Sequence, residues 1–323
     1  MTKQETQSPR NKTLKILDEE KDNLIKQIVL EKQLSCIDNL QNKIINCDYK
    51  KAIYKIKDES INLLILDPPY NLNKKFNSLK FSKTTIDKYT SYLQDILFAF
   101  LPKLKKDASV YICGDWYSSI SIYEAAAKIL QIRNRITWER EKGRAAKNNY
   151  KNCSEDIWFC TVGNKFTFNV EAVKLRRTVK APYKENGKPK DWTEFNTGKF
   201  RDTAPSNFMS DITIPFWSMK ENTKHPTQKS EKLIAKLILA SSNKGDVVCD
   251  PFLGSGTTAV VSKKLKRNFI AFEQEKIYCL WSQKRLNQAD KNIKIQGFSD
   301  NVFWERNTLL LQQKHKKTKS KLK

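Results

Sequence analysis

Short apolar runs alternate with helical patterns along much of this chain. Residues 61–66, INLLIL, form a continuous β-branched run ending at Asp67, which is typical of a strand buried on both faces of a parallel sheet. Helical patterns at about 88–104 and 118–130 alternate with strand patterns at about 108–113, 133–138 and 156–162. This alternation predicts an α/β fold with a Rossmann-like, doubly wound and mostly parallel sheet.

A long segment interrupts the alternation before it resumes. Helices ending near 240, 265 and 292 and strands at about 246–250 and 268–273 complete the α/β pattern. Between about 165 and 224 the chain is instead rich in Lys, Arg, Asn and Pro, with interleaved aromatic residues. Two interpretations stay open: basic and aromatic side chains that contact nucleic acid, or an irregular insertion whose rings form a small satellite core.

The N-terminal residues 1–45 show a different pattern. Apolar positions at Leu14, Leu17, Leu24, Ile25 and Ile28 lie among charges and predict an amphipathic helix. Such a helix packs either on its own core or on a partner.

Charge changes this picture, because 60 Lys and Arg residues against 35 Asp and Glu residues give a formal net charge of +25. A polyanionic partner such as double-stranded DNA would relieve the self-repulsion, although a Lys-rich genome could also produce this composition. Seven cysteines without a C-x-x-C pair and only two histidines give no pattern typical of a metal site. No apolar run approaches ~20 residues, so we expect a soluble cytoplasmic protein without a membrane partner.

Residues 247–258, VVCDPFLGSGTT, place a glycine turn between an apolar strand and a helix. Open α/β sheets bind nucleosides at this position, and Glu273 ends the next strand at about the 20-residue offset of a ribose-binding acid. The turn lacks a third glycine and a G-K-[ST] ending, which favours an adenosine ligand without phosphates. The predicted ligand-binding residues here are Asp250, Phe252, Gly254, Ser255, Gly256, Thr257 and Glu273.

The second chemical motif is D-P-P-Y at residues 67–70, directly after the buried strand. An arylamine nitrogen is a poor nucleophile, and two acceptors for its hydrogens would return its lone pair to the nitrogen. Asp67 and the carbonyl of Pro68 can be those acceptors, while Pro69 stiffens the turn and Tyr70 stacks on the base. By itself this motif is equally compatible with an ordinary strand-to-loop turn.

Together these elements resemble the beta class of DNA amino-methyltransferases, the enzymes of restriction-modification systems. In that family D-P-P-Y precedes F-x-G-x-G with a target-recognition region between them, and H-P-T-Q-K-P leads a helix. This chain has the same order and reads H-P-T-Q-K-S at 225–230. The resemblance implies S-adenosyl-L-methionine as cofactor and adds Asp48, which takes the place of the acid in a G-D element although the glycine is missing.

The resemblance also implies a function: methyl transfer to N6 of adenine in a short DNA sequence after base flipping, because Asp at the first position of the P-P-Y element goes mostly with adenine. N4-cytosine transfer, an RNA or protein-amide methyltransferase and a catalytically silent DNA-binding subunit are the alternatives. Candidate DNA contacts are Arg176, Arg177 and Arg201. A cognate restriction endonuclease is a candidate partner, and both monomer and homodimer stay open.

We therefore predict five parts of the chain. They are an N-terminal helical extension (1–45), a catalytic half (46–164), a target-recognition insertion (165–224), a cofactor-binding half (225–292) and a basic C-terminal tail (293–323).

Overall fold

The structure is a computed structural model that describes residues 8–140 and 147–314, except for the side chain of Phe76. The strongly basic end of the predicted tail, residues 315–323, lies outside the described residues. The α-helices of the described part are α1 Asp18–Gln27, α2 Ile86–Phe100, α3 Ser119–Ala127, α4 Glu231–Ser241, α5 Thr257–Lys264 and α6 Lys276–Lys291. In this part of the chain no helix is both long and apolar enough to span a bilayer.

The strands are short except in the middle of the chain. Their bounds are β1 Val29–Leu30, β2 Lys43–Asn46, β3 Ile61–Leu66, β4 Lys74–Phe76, β5 Leu79–Phe81, β6 Leu104–Gly114, β7 Gln131–Glu139, β8 Ser154–Thr161, β9 Leu175–Thr178, β10 Lys184–Glu185, β11 Lys188–Pro189, β12 Thr193–Phe195, β13 Gly198–Thr203, β14 Phe208–Met209, β15 Val247–Asp250, β16 Asn268–Phe272, β17 Phe298–Ser299 and β18 Val302–Trp304.

A nine-stranded sheet with the order β1-β2-β16-β15-β3-β6-β8-β7-β14 forms the centre of the molecule. Neighbours from β1 to β6 pair in parallel, β8 runs antiparallel to both β6 and β7, and β14 pairs with β7 in parallel. The predicted α/β fold with a doubly wound, mostly parallel sheet is confirmed.

Helices cover both faces of this sheet, which explains why every residue of β3 except Asn62 is apolar and buried. Leu64 and Leu66 pack in the cluster that includes α2 and α3, whereas Leu63 and Ile65 pack in the cluster that includes α4. Helices α1, α5 and α6 pack on β16, and α5 also contacts α4. The carboxyl edge of the parallel strands is where open α/β sheets place their ligands.

Helix α4 begins later than the pattern from 227 predicts. The hydroxyl of Ser230 accepts a hydrogen bond from the backbone N–H of Lys232 at 3.2 Å, so Ser230 caps the helix. Residues 225–229 therefore precede the helix as a separate segment, and Lys229 lies immediately before the cap.

A second sheet has the order β12-β13-β9-β18-β17, and it joins the insertion to residues after α6. The sequence pattern assigned residues 293–323 to a tail, whereas residues 298–304 form β17 and β18 of this sheet. Phe200, Val302 and Trp304 are buried together, with Phe195 and Leu311 packed against them. These contacts match the satellite-core interpretation for part of the aromatic set; Tyr183, Phe208 and Trp217 are exposed.

The N-terminal extension also belongs to the main body of the protein. Leu24 of α1 and Ile28 lie in one buried cluster with Leu280 and Leu286 of α6. Strands β1 and β2 extend the edge of the central sheet, so residues 1–45 contribute more than the predicted helix. The amphipathic stripe thus packs on the chain's own core.

Candidate active site

A cleft opens at the carboxyl ends of β3, β15 and β16, which are adjacent in the sheet. The β4–β5 hairpin, the segment before α4 and the start of α6 complete its walls. The cleft brings together most of the residues that the sequence singled out: Asp67, Pro68, Pro69, Tyr70, Asp250, Phe252, Gly254, Ser255, Thr257 and Glu273.

The two glycines of the turn have left-handed backbones for different reasons. Gly254 has φ of +55°, and a Cβ there would lie 3.0 Å from Nε2 of His225. Gly256 has φ of +86°, and a Cβ there would lie 2.7 Å from the Cα of Ser282 in α6. Gly254 lines the cleft, but Gly256 does not. The missing side chain of Gly256 lets α5 approach α6, while its predicted cofactor-binding role stays a prediction.

Two carboxyl groups accompany this turn, that of Asp250, which is buried, and that of Glu273, which is partly buried. Glu273 Oε2 accepts a hydrogen bond from the backbone N–H of Gly254 at 2.8 Å, and Oε1 accepts one from Glu275 N–H at 2.8 Å. Burial raises the pKa of Glu273 to about 7 and the pKa of Asp250 to about 7. Glu273 thus fixes the shape of the turn, and it also lines the cleft.

Asp48 lies farther from the cleft than the sequence suggests. Its Oδ1 accepts a hydrogen bond from Lys50 N–H at 2.9 Å and caps a short 3₁₀ turn at 49–51. Its Oδ2 accepts a hydrogen bond from Gln274 Nε2 at 3.3 Å, and Gln274 lines the cleft. Asp48 does not line the described cleft, so its contact with the site runs through Gln274.

The D-P-P-Y segment is held by contacts from other elements. The carbonyl of Pro69 accepts a hydrogen bond from the Tyr89 hydroxyl of α2 at 2.9 Å. The ammonium of Lys229 donates to both oxygens of Asp67, at 2.9 and 2.8 Å, and to the Tyr70 hydroxyl at 3.1 Å. The Tyr70 hydroxyl lies 3.1 Å from Asp67 Oδ1. Asp67 is therefore fixed in one orientation at the end of β3.

A second carboxylate, Glu155 at the start of β8, extends this cluster. Its Oε2 lies 3.2 Å from Lys229 Nζ and 3.1 Å from the Tyr70 hydroxyl, and its Oε1 lies 2.6 Å from Arg140. Burial opposes ionisation of Glu155, but Lys229 and Arg140 outweigh it and lower the pKa of the carboxyl group. Burial likewise opposes the positive charge on Lys229. The negative charges of Asp67 and, to a lesser extent, Glu155 outweigh this effect and raise the pKa of Lys229. The cluster therefore holds charged groups at neutral pH.

Burial, followed by the charges of Asp67 and Glu155, raises the pKa of Tyr70, so its hydroxyl keeps its proton. Burial, followed by the charges of Lys229 and Lys74, lowers the pKa of His225 to about 3, so its imidazole is neutral at ordinary pH. His225 packs edge-on against Tyr278, with ring centroids 4.5 Å apart. His225 thus serves as an uncharged wall of the cleft beside Gly254.

The β4–β5 hairpin covers one side of the cleft and is attached to the residue before α6. Glu275 accepts hydrogen bonds from Asn77 Nδ2 at 2.6 Å, from Ser78 N–H at 3.1 Å and from the Ser78 hydroxyl. Lys74, Leu79 and Phe81 of the hairpin line the cleft. Glu275 therefore connects the wall after the D-P-P-Y segment to the cofactor-binding half.

The three predicted DNA-contacting arginines lie on the second sheet and differ in their surroundings. Arg176 makes a two-pronged ion pair with Asp202, at 2.7 and 2.6 Å, and only 13% of its side chain is exposed. Arg177 is 48% exposed and lies 3.6 Å from Glu305. Arg201 is 35% exposed and pairs with Asp191. In the β9–β13 register Arg177 lies directly opposite Arg201, and Arg176 lies opposite Asp202.

Sequence reasoning missed several groups that the structure brings into the site. Lys229 is part of the H-P-T-Q-K segment but was considered only as the lead into a helix. Glu155 and Arg140 flank a strand pattern without any recognisable motif. Glu275 lies two positions after Glu273, the predicted ribose-binding acid, and this closeness in sequence was the one indication that Glu275 belongs to the site.

The described cleft fits a nucleoside without phosphates. The ring of Phe252 and the backbone at Gly254 form one wall, and the buried carboxyl group of Asp250 and the partly buried one of Glu273 stand beside them. Carboxyl groups beside a glycine turn would repel a pyrophosphate but suit ribose hydroxyls and a cationic sulfonium. The predicted S-adenosyl-L-methionine has these properties.

Comparison with known proteins agrees with this arrangement. The DNA methylase family matches residues 61–284. Type II methyltransferase M1.MboII of Moraxella bovis is 31% identical over 271 residues, covering 78% of this chain and 98% of that protein. DNA adenine methyltransferase YhdJ of Escherichia coli (strain K12) is 32% identical over 258 residues, covering 78% of this chain and 84% of that protein.

Two solved structures share the fold. The M1.HpyAVI-SAM complex has a TM-score of 0.53 at 24% identity, covering 76% of this chain and 98% of that one. PvuII DNA methyltransferase (cytosine-N4-specific) has a TM-score of 0.57 at 15% identity, covering 78% of this chain and 92% of that one. The chain belongs to the DNA methylase family, the S-adenosyl-L-methionine-dependent DNA amino-methyltransferases of restriction-modification type.

Proposed function

We propose that this protein methylates N6 of adenine in a short sequence of double-stranded DNA after flipping the base out of the helix. The observation that carries the proposal is the fixed Asp67 carboxylate, at the first position of D-P-P-Y, in the same cleft as the glycine turn. In the family that this motif resembles, Asp at this position goes mostly with adenine. YhdJ, a relative at 32% identity, is named as an adenine methyltransferase.

The cofactor supplies an activated methyl group on its sulfonium when it is bound. Asp250, Phe252, Gly254, Ser255, Thr257 and Glu273 would hold it. Asp67 and the Pro68 carbonyl would accept hydrogen bonds from the two amine hydrogens, which concentrates the lone pair on nitrogen. Pro69 would stiffen this turn and Tyr70 would face the flipped base, while the hydroxyl of Tyr70 stays tied to the carboxylates. In-line transfer of this kind needs no covalent enzyme intermediate, and the extra proton leaves toward Asp67 or water.

We further propose that the second sheet and its insertion select the DNA sequence. Arg177 and Arg201 lie opposite each other with side chains that are 48% and 35% exposed, which supports their assignment as DNA contacts. The two-pronged ion pair of Arg176, whose own side chain is only 13% exposed, favours a structural role for this residue. Grafting residues 165–224 together with 298–304 into a relative of different specificity should move the methylated site. As in other Type II systems, a restriction endonuclease of the same specificity is the proposed functional partner.

The decisive experiment identifies the modified nucleoside. Purified protein, DNA of mixed sequence and the cofactor are incubated, the DNA is digested, and nucleosides are separated by mass spectrometry. We expect N6-methyldeoxyadenosine. N4-methyldeoxycytidine would establish the cytosine alternative, for which the fold shared with the PvuII enzyme leaves room. Cofactor binding without any DNA methylation would instead favour the silent DNA-binding subunit.

A further inference from the structure

Lys229 makes an unusual set of contacts for a lysine beside a reaction centre. Its ammonium lies 2.8 Å from Asp67 Oδ2, 3.2 Å from Glu155 Oε2 and 3.1 Å from the Tyr70 hydroxyl. Only 8% of its side chain is exposed. One cation therefore joins the two carboxylates of the cluster to the aromatic residue of D-P-P-Y.

The acceptor positions of Asp67 that remain unused determine where a target amine can donate a hydrogen bond. An ionised carboxylate has about four lone-pair positions. Lys229 uses one on each oxygen, and the Tyr70 hydroxyl uses a second on Oδ1. About one position on Oδ2 is then left for an incoming amine hydrogen, so the direction from which Asp67 can accept is fixed in advance.

We propose that Lys229 is a positioning residue for methyl transfer: it holds the Asp67 carboxylate turned so that one acceptor position faces the target amine, with Glu155 as the second anchor of the ammonium. The proposal rests on the proposed role of Asp67. Lys229 itself transfers no proton, because its charge is stabilised on two sides.

The balance of charges explains why Glu155 is needed beside Lys229 and Asp67. Asp67 and Glu155 contribute two negative charges, and Lys229 and Arg140 contribute two positive ones. Without the ammonium, Glu155 and the partly exposed Asp67 would keep only Arg140, which pairs with Glu155, and the charge of Lys74, so Glu155 would take up a proton at higher pH. The titratable and charged groups that surround the cluster from all packed elements are Asp67, Tyr70, Lys74, Cys113, Arg140, Glu155, His225, Asp250 and Arg285.

The sign of the pH effect follows from this balance. Glu155 anchors the ammonium only while it is ionised, so the rate of transfer falls along an acidic limb of the pH profile as Glu155 takes up a proton. In the wild type the charges of Lys229 and Arg140 outweigh burial and lower the pKa of Glu155. In Lys229→Met the limb should move up by about 1–3 pH units, because an opposite charge at this distance has been removed.

The test measures single-turnover methyl transfer against pH, with DNA and cofactor saturating, for wild type and Lys229→Met. Near neutral pH the variant should be about 100-fold slower, as expected when a reacting group is misplaced. Lys236→Met is the matched control: Lys236 is a similarly buried lysine in α4 that pairs with Asp211 at 2.7 Å and does not line the cleft. It should lose stability in a similar way but keep the wild-type position of the acidic limb.

A double variant keeps the test decisive if Lys229→Met does not fold. Lys229→Met/Glu155→Gln removes one positive and one negative charge together, so the carboxylate of Asp67 and the guanidinium of Arg140 remain in balance. It should lack the displaced acidic limb, because Glu155 no longer titrates, while its rate at neutral pH stays about 100-fold low because Asp67 has lost its ammonium. Near wild-type rates in the folded double variant, or in Lys229→Met with an unmoved limb, would overturn the proposal.

Nucleoside analysis of the same reactions separates this proposal from the choice of base. If the product is N4-methylcytosine, the adenine assignment fails, yet the displaced limb in Lys229→Met would still show that the lysine positions Asp67 toward an amine. If the product is N6-methyladenine and the limb does not move, the adenine assignment stands and the positioning role is wrong.

Discussion

The ion pairs of the cleft and those of the second sheet differ in how much water reaches them. In the cleft, Lys229 and Glu155 are each 8% exposed and lie 3.2 Å apart. On the second sheet, Arg177 is 48% exposed and lies 3.6 Å from Glu305, whose side chain is 34% exposed. Exposed pairs contribute about 0–1 kcal/mol, whereas breaking a buried pair leaves an uncompensated charge and costs about 3–5 kcal/mol.

This difference suits two kinds of task. An arginine that loses little by leaving its carboxylate can exchange it for a DNA phosphate at low cost. A buried carboxylate that cannot change partners keeps the same geometry through each reaction. Exchangeable charges on the second sheet and fixed charges in the cleft therefore match a recognition surface and a reaction centre.

The largest effect should come from salt. If about six phosphates are neutralised, log K for DNA should fall with log salt at a slope near −5, or roughly 1,000-fold between ~50 and ~200 mM. Cofactor affinity should change far less, because the groups of the cleft are buried. Fluorescence anisotropy with labelled DNA and calorimetry with the cofactor would measure the two responses. A flat response of DNA affinity would contradict the proposed substrate.

The second effect is the loss of Asp67. In Asp67→Ala the amine loses one acceptor in the transition state, so the single-turnover rate should fall by at least ~100-fold. Cofactor Kd should change much less, since Asp67 belongs to the reacting nitrogen. Lys229 keeps Glu155 as a partner in this variant, which favours a folded protein.

Asp67→Asn is the matched control for that experiment. It retains a carbonyl oxygen as acceptor but loses the charge that pairs with Lys229, so its rate should lie between those of wild type and Asp67→Ala. Unfolding midpoints for both variants would separate lost activity from lost folded protein. A folded Asp67→Ala enzyme with a near wild-type rate would refute the assigned role.

The sequence was informative where a local pattern reports the local structure. Strand β3 was predicted with its observed bounds, 61–66, because a strand buried on both faces is apolar at nearly every position, here all but Asn62. The glycine turn was recognisable because residues 254 and 256 have backbones that favour glycine. These two elements also located most of the cleft.

Contacts between distant residues were not recognisable in this way. Lys229 and Asp67 are 162 positions apart, and nothing local to either residue shows that they meet. Glu155 is the second residue of strand β8, and its sequence neighbourhood resembles that of any polar residue at the start of a strand. The second sheet was missed because its strands have two to six residues and several are half-exposed, so they show neither a long apolar run nor a helical period.

The smallest predicted effect compares two adjacent arginines on opposite faces of β9. Arg177→Ala should weaken DNA binding about tenfold and reduce the salt slope by about one if the side chain contacts a phosphate, or relax the target sequence at one position if it contacts a base. Arg176→Ala should leave the salt slope unchanged. It breaks the two-pronged pair with Asp202 beside Trp304, so we expect it to lower the free energy of unfolding by about 1–3 kcal/mol.

Binding titrations at several salt concentrations and denaturant unfolding of both variants distinguish the two residues. The pair is well matched, since the residues are neighbours of the same type and differ mainly in exposure, 13% against 48%. If Arg176→Ala reduced the salt slope while Arg177→Ala did not, the buried arginine would be the one that leaves its partner for DNA. Exposure would then not decide which charges of this protein are exchangeable, and the contrast between cleft and second sheet would need another physical basis.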